Sequence, residues 1–522
     1  MENGVFSQII YQQSGVQLGT VPRELLLIGP PLITEKKRWL ANITIEAGGN
    51  YVISDASPEL GILKPFEDCH LFRTQDFKIY AKKPDWMRED AIDITSALSG
   101  SISTTNYNSG SGTILTLPYA NLAAINGFSV GDTLNIYYDI VVSREYLYSK
   151  RVEISSIDVL SSLFGQNSLN DQDSVLAYNS LLATTFGANK KFYIYGADMT
   201  GYTGDPVEYL NDPAVHDDIT NSIKRYHYYY IVPLVKMVDK ADYEQIIEKY
   251  ALFVESQSTP AARKECRTYF AKPIVKDGDG LDYAGNGFFF ELGEIDGTYY
   301  KIKAAEDVNL AVNYPAKINS MRVTLIGDYY AILYGDIIEG CELATIMAAW
   351  RASLPKGHST TGSIVPGISS VPHFGYYNED QYRRLRNAGW TMLIQESEYS
   401  AVRVYQQVTT MTEIIEQREE SLPIILDAFA MELRLSLKGM IGRGVFNKIS
   451  SDPNDPATSK YLARVRQVAQ AVINKYVKNK WLAKAEVIGL AQNELYPDQA
   501  DLRAKVEHYY PVNQIHTTIL VV

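Results

Sequence analysis

The chain has 522 residues, well above the ~150 of a typical single domain, so two to four structural units are expected. Hydrophobic residues make up 46% and charged residues 21%, a globular composition that excludes disorder as the default state. Lys plus Arg number 49 against 61 Asp plus Glu, and a net charge of −12 argues against a global electrostatic grip on nucleic acid or an anionic membrane.

Residues 1–22 carry one charge, Glu2, and read as an extended arm in which Val5, Ser7, Ile9 and Tyr11 alternate with Phe6, Gln8 and Ile10. This stretch has no Lys or Arg and no apolar run, so no signal peptide is expected. A short apolar strand, Leu25 to Ile28, follows within 23–35 and closes at Gly29-Pro30-Pro31. Residues 36–157 are strand-rich with repeated turn signals, such as Gly48-Gly49-Asn50 and Gly131-Asp132, and read as an inserted β-rich domain. Within it, Leu134 to Val142 and Tyr146 to Ile154 read as a pair of strands.

From 158 to 276 the pattern changes to helices alternating with apolar strands: helix Ser174 to Phe186, strand Lys191 to Tyr195, helix Val215 to Arg225, strand Tyr228 to Val235, helix Asp242 to Val254. Such alternation predicts an α/β layer on a largely parallel sheet. A second β-rich insertion, 277–318, interrupts it, and the α/β pattern resumes over 319–410 with helices Cys341 to Ala352 and Glu379 to Asn387. Residues 411–511 read as mostly helical, and 512–522 as a second uncharged, alternating arm. The expected fold is therefore mixed α/β (α+β) and multi-domain: an α/β core with inserted β-rich domains, a mostly helical C-terminal region, and extended arms at both ends.

Motifs for chemistry are weak. Ser353-Leu-Pro-Lys356 matches S-x-x-K, but Pro355 lies inside it and no Ser-Asp-Asn or Lys-Thr-Gly partner occurs. Asp277-Gly-Asp-Gly-Leu-Asp282 puts Leu281 where a calcium loop needs its third oxygen ligand. Gly442-Arg-Gly444 lacks the third glycine of a dinucleotide fingerprint. Cys69, Cys266 and Cys341 are far apart and odd in number, which suits free thiols. The seven histidines offer no metal-spaced pair, and no stretch approaches the ~20 apolar residues of a membrane span. No catalytic residue, metal site or cofactor is expected.

Two features point instead to assembly. An uncharged alternating end is an aggregation hazard unless it finds a sheet to join, and donating it to a neighbour gives connection through backbone hydrogen bonds. The candidate donated positions are Val5, Phe6, Ser7, Ile9 and Tyr11, and Val512, Ile515, Thr517, Ile519 and Val521. Second, a helix from Ala457 to Asn479 aligns Tyr461, Val465, Val468, Val472 and Tyr476 in one stripe, with Lys460, Arg464, Lys475 and Lys478 in a wedge beside it. Six acids between Thr412 and Arg434 (Glu413, Glu416, Glu419, Glu420, Asp427 and Glu432) are the candidate complementary patch. The excess of 38 Tyr over 16 Phe also suits protein–protein surfaces.

Residues Ser359-Thr-Thr-Gly-Ser-Ile-Val-Pro366, the helix Asn378 to Asn387 closing in Ala388-Gly389, the strand Thr391 to Ile394, and Val402-Arg403-Val404 leading to Thr409-Thr-Met-Thr412 together resemble contractile tail sheath proteins of myovirus-type bacteriophages. The resemblance implies a non-enzymatic subunit that polymerises helically around a tail tube and contracts to drive the tube through the host envelope. Its implied partners are copies of itself, the tail tube protein, and baseplate and tail terminator proteins, with no direct nucleic acid and no membrane insertion. It implies a place in the virion tail, assembled in the host cytoplasm, with the basic wedge meeting the tube or a neighbouring subunit. The competing readings are a virion adhesin and an α/β hydrolase.

Overall fold

The structure is a computed structural model that describes residues 24–53, 69–98, 115–187, 190–236, 240–259, 261–271, 314–327, 330–355, 358–371, 379–397, 399–440, 456–492 and 500–509. Both arms and nearly all of the 277–318 insertion lie outside the described residues, as do the 277–282 and 442–444 motifs.

The core is an eight-stranded sheet whose strand order is β18-β17-β13-β12-β11-β1-β10-β9. These strands are β1 (Leu25–Gly29), β9 (Arg151–Ile154), β10 (Phe192–Gly196), β11 (Tyr230–Pro233), β12 (Arg267–Ala271), β13 (Val323–Ile326), β17 (Trp390–Ile394) and β18 (Arg403–Gln406). The six inner strands run parallel, while β9 and β18 close the two edges antiparallel. Parallel strands buried on both faces should read as continuous apolar runs, and Leu25-Leu-Leu-Ile28 does. Leu25 and Leu27 pack in one apolar cluster, Leu26 and Ile28 in another, so the sheet separates two cores.

Helices cover each face. On one side lie α2 (Ile157–Phe164), α3 (Val175–Phe186) and α7 (Gly340–Ser353); on the other lie α4 (Val215–Ile223), α5 (Lys240–Gln257) and α8 (Glu379–Asn387). Two short helices, α1 (Tyr119–Ala123) and α6 (Tyr314–Ile318), sit in the connections. Helix α8 stops where predicted because Gly389 takes φ +98, and a Cβ there would stand 3.0 Å from Pro315 and 3.2 Å from the Thr409 carbonyl.

The described residues between β1 and β9 are mostly strands. Strands β2 (Leu32–Thr44), β4 (Cys69–His70), β5 (Phe77–Lys82), β6 (Ile92–Asp93) and β8 (Thr133–Arg144) form one sheet, and β3 (Asn50–Ile53) pairs with β7 (Leu115–Pro118). The two strands expected over 134–142 and 146–154 are present as β8 and β9, but they do not pair with each other: β9 pairs with β10, its buried Ile154 opposite Phe192. A small sheet of β14 (Tyr330–Leu333), β15 (Asp336–Glu339) and β16 (Ile368–Ser370) lies beside α7.

The C-terminal region departs from its expected character. Helices α9 (Ile415–Arg418), α10 (Ser421–Lys438) and α11 (Pro456–Lys478) fill its first part, but β19 (Leu482–Gln492) and β20 (Ala500–His508) then form a two-stranded antiparallel hairpin. Local helix formers such as Ala483, Lys484 and Glu486 are overridden by cross-strand pairing, which sets Glu486 opposite Lys505 and Lys484 opposite Glu507.

Candidate assembly interface

The stripe predicted on α11 is a buried seam. Val465, Val468, Val472 and Tyr476 are all buried, and Val472, Ile473 and Tyr476 pack against Ile425 and Phe429 of α10 and Leu482 of β19. The Tyr461 hydroxyl donates to the Met440 carbonyl at 3.0 Å, fixing the start of α11 on the end of α10. The alternating apolar face of the hairpin (Ala485, Val487, Leu490, Leu502, Val506) packs on the same two helices. Among the described residues, the outer edges of β19 and β20 pair with no further strand, so the hairpin offers backbone donors and acceptors on both sides.

Beside this seam Lys460, Arg464 and Lys478 are exposed at the surface. Lys475 is not equivalent to them. Its ammonium lies 2.5 Å from Glu432 Oε1, and Tyr476 donates its hydroxyl to Glu432 Oε2 at 3.1 Å. Glu432 is fully buried, so Lys475 neutralises an internal carboxylate.

The acidic patch expected over 412–434 is not a surface patch. Glu413 is exposed, but Glu419, Glu420, Asp427 and Glu432 are all buried: the first three fasten α10 and its start to the sheet, and Glu432 fastens α10 to α11. The Glu420 carboxylate accepts from Thr324 at 2.8 Å and from the Tyr269 hydroxyl, with the Arg267 guanidinium 3.4 Å and that of Arg351 3.8 Å away. Asp427 accepts two hydrogen bonds from Arg322 and a third, at 2.9 Å, from Tyr229. Glu419 accepts from the Gln406 amide at 2.7 Å. Charge burial on this scale persists only when each carboxylate has a partner; those of Glu420 and Asp427 come from β11, β12, β13 and α7 or their flanks, that of Glu419 from β18, and those of Glu432 from α11.

The segment that carries the sheath resemblance folds as one unit at the β17–β18 edge. Residues 362–365 line β18, with Gly362 N–H donating to the Val404 carbonyl at 2.7 Å and Val365 N–H to that of Val402 at 3.0 Å. Thr391 donates its hydroxyl to the Val408 carbonyl, and Thr410 its own to that of Ser320. These threonines bind main chain rather than reacting groups. The edge is thereby covered from within the chain.

The places where chemistry would be sought hold structural contacts. Ser353 ends α7 with its hydroxyl donating to the Trp350 carbonyl at 2.7 Å. His216 is buried against Tyr250 and the Leu210 carbonyl, and burial pushes its pKa down to about 4. All three cysteines are free and buried, and burial raises the Cys266 thiol to about 12. In open α/β sheets ligands sit beyond the carboxyl ends of the parallel strands. There, just past β11, Lys236 is buried with its ammonium 3.1 Å from Glu342 and 3.7 Å from Glu339, donating to the Gln172 carbonyl. Burial raises Glu339 to about 7. Among the described residues no group of three or more His, Cys, Asp or Glu could hold a metal ion, and no helix is long and apolar enough to cross a membrane.

Sequence reasoning missed the hairpin, although 501–508 carries its signal: Asp501, Arg503, Lys505 and Glu507 alternate with Leu502, Ala504, Val506 and His508. It also missed Arg267, Arg322 and Arg351, whose partners lie far along the chain and leave no local trace.

Comparison with known proteins gives a distant likeness in fold. The chain is similar to the helical sheath of the anti-feeding prophage in its contracted state, at 13% identity over 72% of this chain and 89% of that one, TM-score 0.46. It is similar to the sheath tail protein of Listeria innocua, at 12% identity over 94% of this chain and 93% of that one, TM-score 0.43. The sheath tail protein of Desulfitobacterium hafniense gives 11% identity over 96% of this chain and 100% of that one, TM-score 0.41. No family model matches the chain, and no curated protein matches it.

Proposed function

We propose that the protein is the structural subunit of a contractile tail sheath, which polymerises helically around a tail tube and shortens to drive the tube through a host envelope. The observation that carries this reading is the pairing of two features: a β19–β20 hairpin that, among the described residues, pairs with no further strand on either edge, and two nearly uncharged alternating arms able to fill such edges. Strands lent by Val5 to Tyr11 and Ile515 to Val521 of neighbouring copies would extend the hairpin into a continuous sheet. A repeated contact of this heterologous kind generates an open helix rather than a closed ring.

The rest of the chain supports a mechanical role. The buried network under α10 ties the C-terminal unit to the α/β core, so force on the hairpin is passed to the whole subunit. Work then comes from repacking of neighbouring subunits between two states that differ by a few kcal/mol each. The exposed Lys460, Arg464 and Lys478 are the contact for the tube or a neighbour, with Lys475 holding the helix in place behind them. Baseplate and tail terminator proteins would meet the two ends of the polymer, and assembly on the tube would occur in the host cytoplasm before the tail joins the virion.

Negative-stain microscopy of the purified protein tests this reading. Hollow cylinders of regular width are the expected outcome. Discrete globular particles under all salt and concentration conditions would remove it.

A further inference from the structure

The inserted β-domain breaks its own pattern at one place. Strand β2 loses register with β8 between Glu35 and Arg38, and again between Trp39 and Ala41. Lys37 sits at φ +42, a left-handed conformation that is unfavourable for a non-glycine residue. A regular strand sends successive side chains to opposite faces, but here Arg38 and Trp39 are both exposed while Leu40 enters the core. Bulges of this kind re-aim side chains and favour functional edges. Trp39, at 59% exposure, is an expensive residue to leave in water.

Arg88 is built into the same spot. Its guanidinium donates to the main-chain carbonyls of Lys36 and Lys37 in the bulge and lies 5.6 Å over the ring of Tyr137, the cross-strand partner of Trp39. These two bonds are to carbonyls rather than carboxylates, so they do not neutralise its charge. Arg38, Trp39, Arg88 and Tyr137 line a cavity of about 300 Å³.

We infer that this cavity is a binding site for an acidic sugar, a pyranose ring bearing a carboxylate or a phosphate. The volume is at the small end of ligand pockets. The indole face offers an apolar platform for the C–H face of a ring. Arg38 also donates to Asn167 Oδ1 at 3.3 Å, and Arg88 uses one nitrogen on the bulge carbonyls; the remaining N–H donors of the two guanidinium groups suit a carboxylate or phosphate. Among the described residues no carboxylate or amide lines the cavity, so a neutral sugar, whose hydroxyls need acceptors as well as donors, is poorly matched. A nucleic-acid strand needs a track of positive charge along its backbone. The surroundings here include Glu35, which lies 3.6 Å from Arg38, and Asp139, which accepts from the Lys37 N–H. The site is cut for one anionic group.

The test is titration of the intact full-length protein with four probes: a glucuronate-containing tetrasaccharide, glucose 6-phosphate, cellotetraose and a deoxythymidine oligonucleotide. The first two distinguish a uronate from a sugar phosphate as the preferred source. At least one of them should bind tenfold or more tightly than cellotetraose, and Trp39→Ala should weaken that binding at least tenfold with an unchanged thermal midpoint. Arg88→Gln should weaken it comparably, and Arg88→Lys less. If the Arg88 variants do not fold, Trp39→Ala alone decides. Absence of binding by both anionic probes, equal binding of cellotetraose, tighter binding of the oligonucleotide, or indifference to Trp39→Ala would each overturn the assignment.

Discussion

Arg322 and Asp427 meet as a two-pronged ion pair, Nη1 to Oδ2 at 2.9 Å and Nη2 to Oδ1 at 3.0 Å, across 105 residues of sequence. Arg322 immediately precedes β13 and Asp427 lies in the second turn of α10, so this pair bolts the C-terminal unit onto the sheet. Both side chains are nearly inaccessible.

Removing one member should therefore be costly. Asp427→Ala leaves the Arg322 guanidinium buried without its counter-charge, and a loss of about 3–5 kcal/mol is expected. Urea denaturation monitored by circular dichroism would show the midpoint fall with little change in slope. A loss under 1 kcal/mol would mean that α10 is held by its apolar face alone.

Lys475 and its neighbours on α11 should behave differently from one another. Lys475→Ala removes the counter-charge of the buried Glu432 carboxylate, which keeps its bond from Tyr476, and should cost about 2 kcal/mol of stability. The triple change of Lys460, Arg464 and Lys478 to Gln should leave the unfolding midpoint within ~0.5 kcal/mol, since these side chains are solvated. It should instead slow or abolish sheath assembly on tubes, read by sedimentation. Unimpaired assembly would take the tube or neighbour contact away from this face.

Deletion of 1–22 together with 512–522 should abolish cylinder formation while leaving the thermal transition of the globular part unchanged. Ordered cylinders from the doubly trimmed chain, seen by negative stain, would show that the hairpin edges are filled by something else.

His216 gives a pH signature. Its ordinary value is 6.5 and burial holds it at about 4 in the folded chain, so the unfolded chain binds more protons between those values. Stability from this residue is complete above pH 6.5 and is lost as pH falls towards 4, by about 3 kcal/mol in all. Denaturation midpoints measured from pH 7 to 4 should fall less steeply for His216→Gln than for the parent chain.

At Gly389 the positive φ and the crowding by Pro315 and Thr409 act together. Gly389→Ala should destabilise by about 1–3 kcal/mol, and Asn, which tolerates the left-handed region better, still meets the same neighbours. Differential scanning calorimetry would show a lowered midpoint for both.

The local signals in this sequence are sufficient for many of its elements, though not for the β19–β20 hairpin. Apolar runs and helical spacing located β1, α3, α7, α8 and α11 to within a residue or two, because periodicity is a property of neighbouring residues. The Ala388-Gly389 stop was legible for the same reason, since a left-handed turn is decided by one residue. What the amino-acid string could not express was partnership at a distance. Glu419, Glu420, Asp427 and Glu432 resemble any charged helix surface until Arg267, Arg322, Lys475 and Gln406 are brought to them. Strand β9 was detectable as a strand, yet only the folded sheet decided that it joins β10 rather than β8. The hairpin after Leu482 was given up to helix propensity, which is worth tenths of a kcal/mol per residue and yields to pairing and burial. Whether a charge is a surface handle or an internal bolt depends on its dielectric surroundings, and those surroundings exist only once the chain has closed around it.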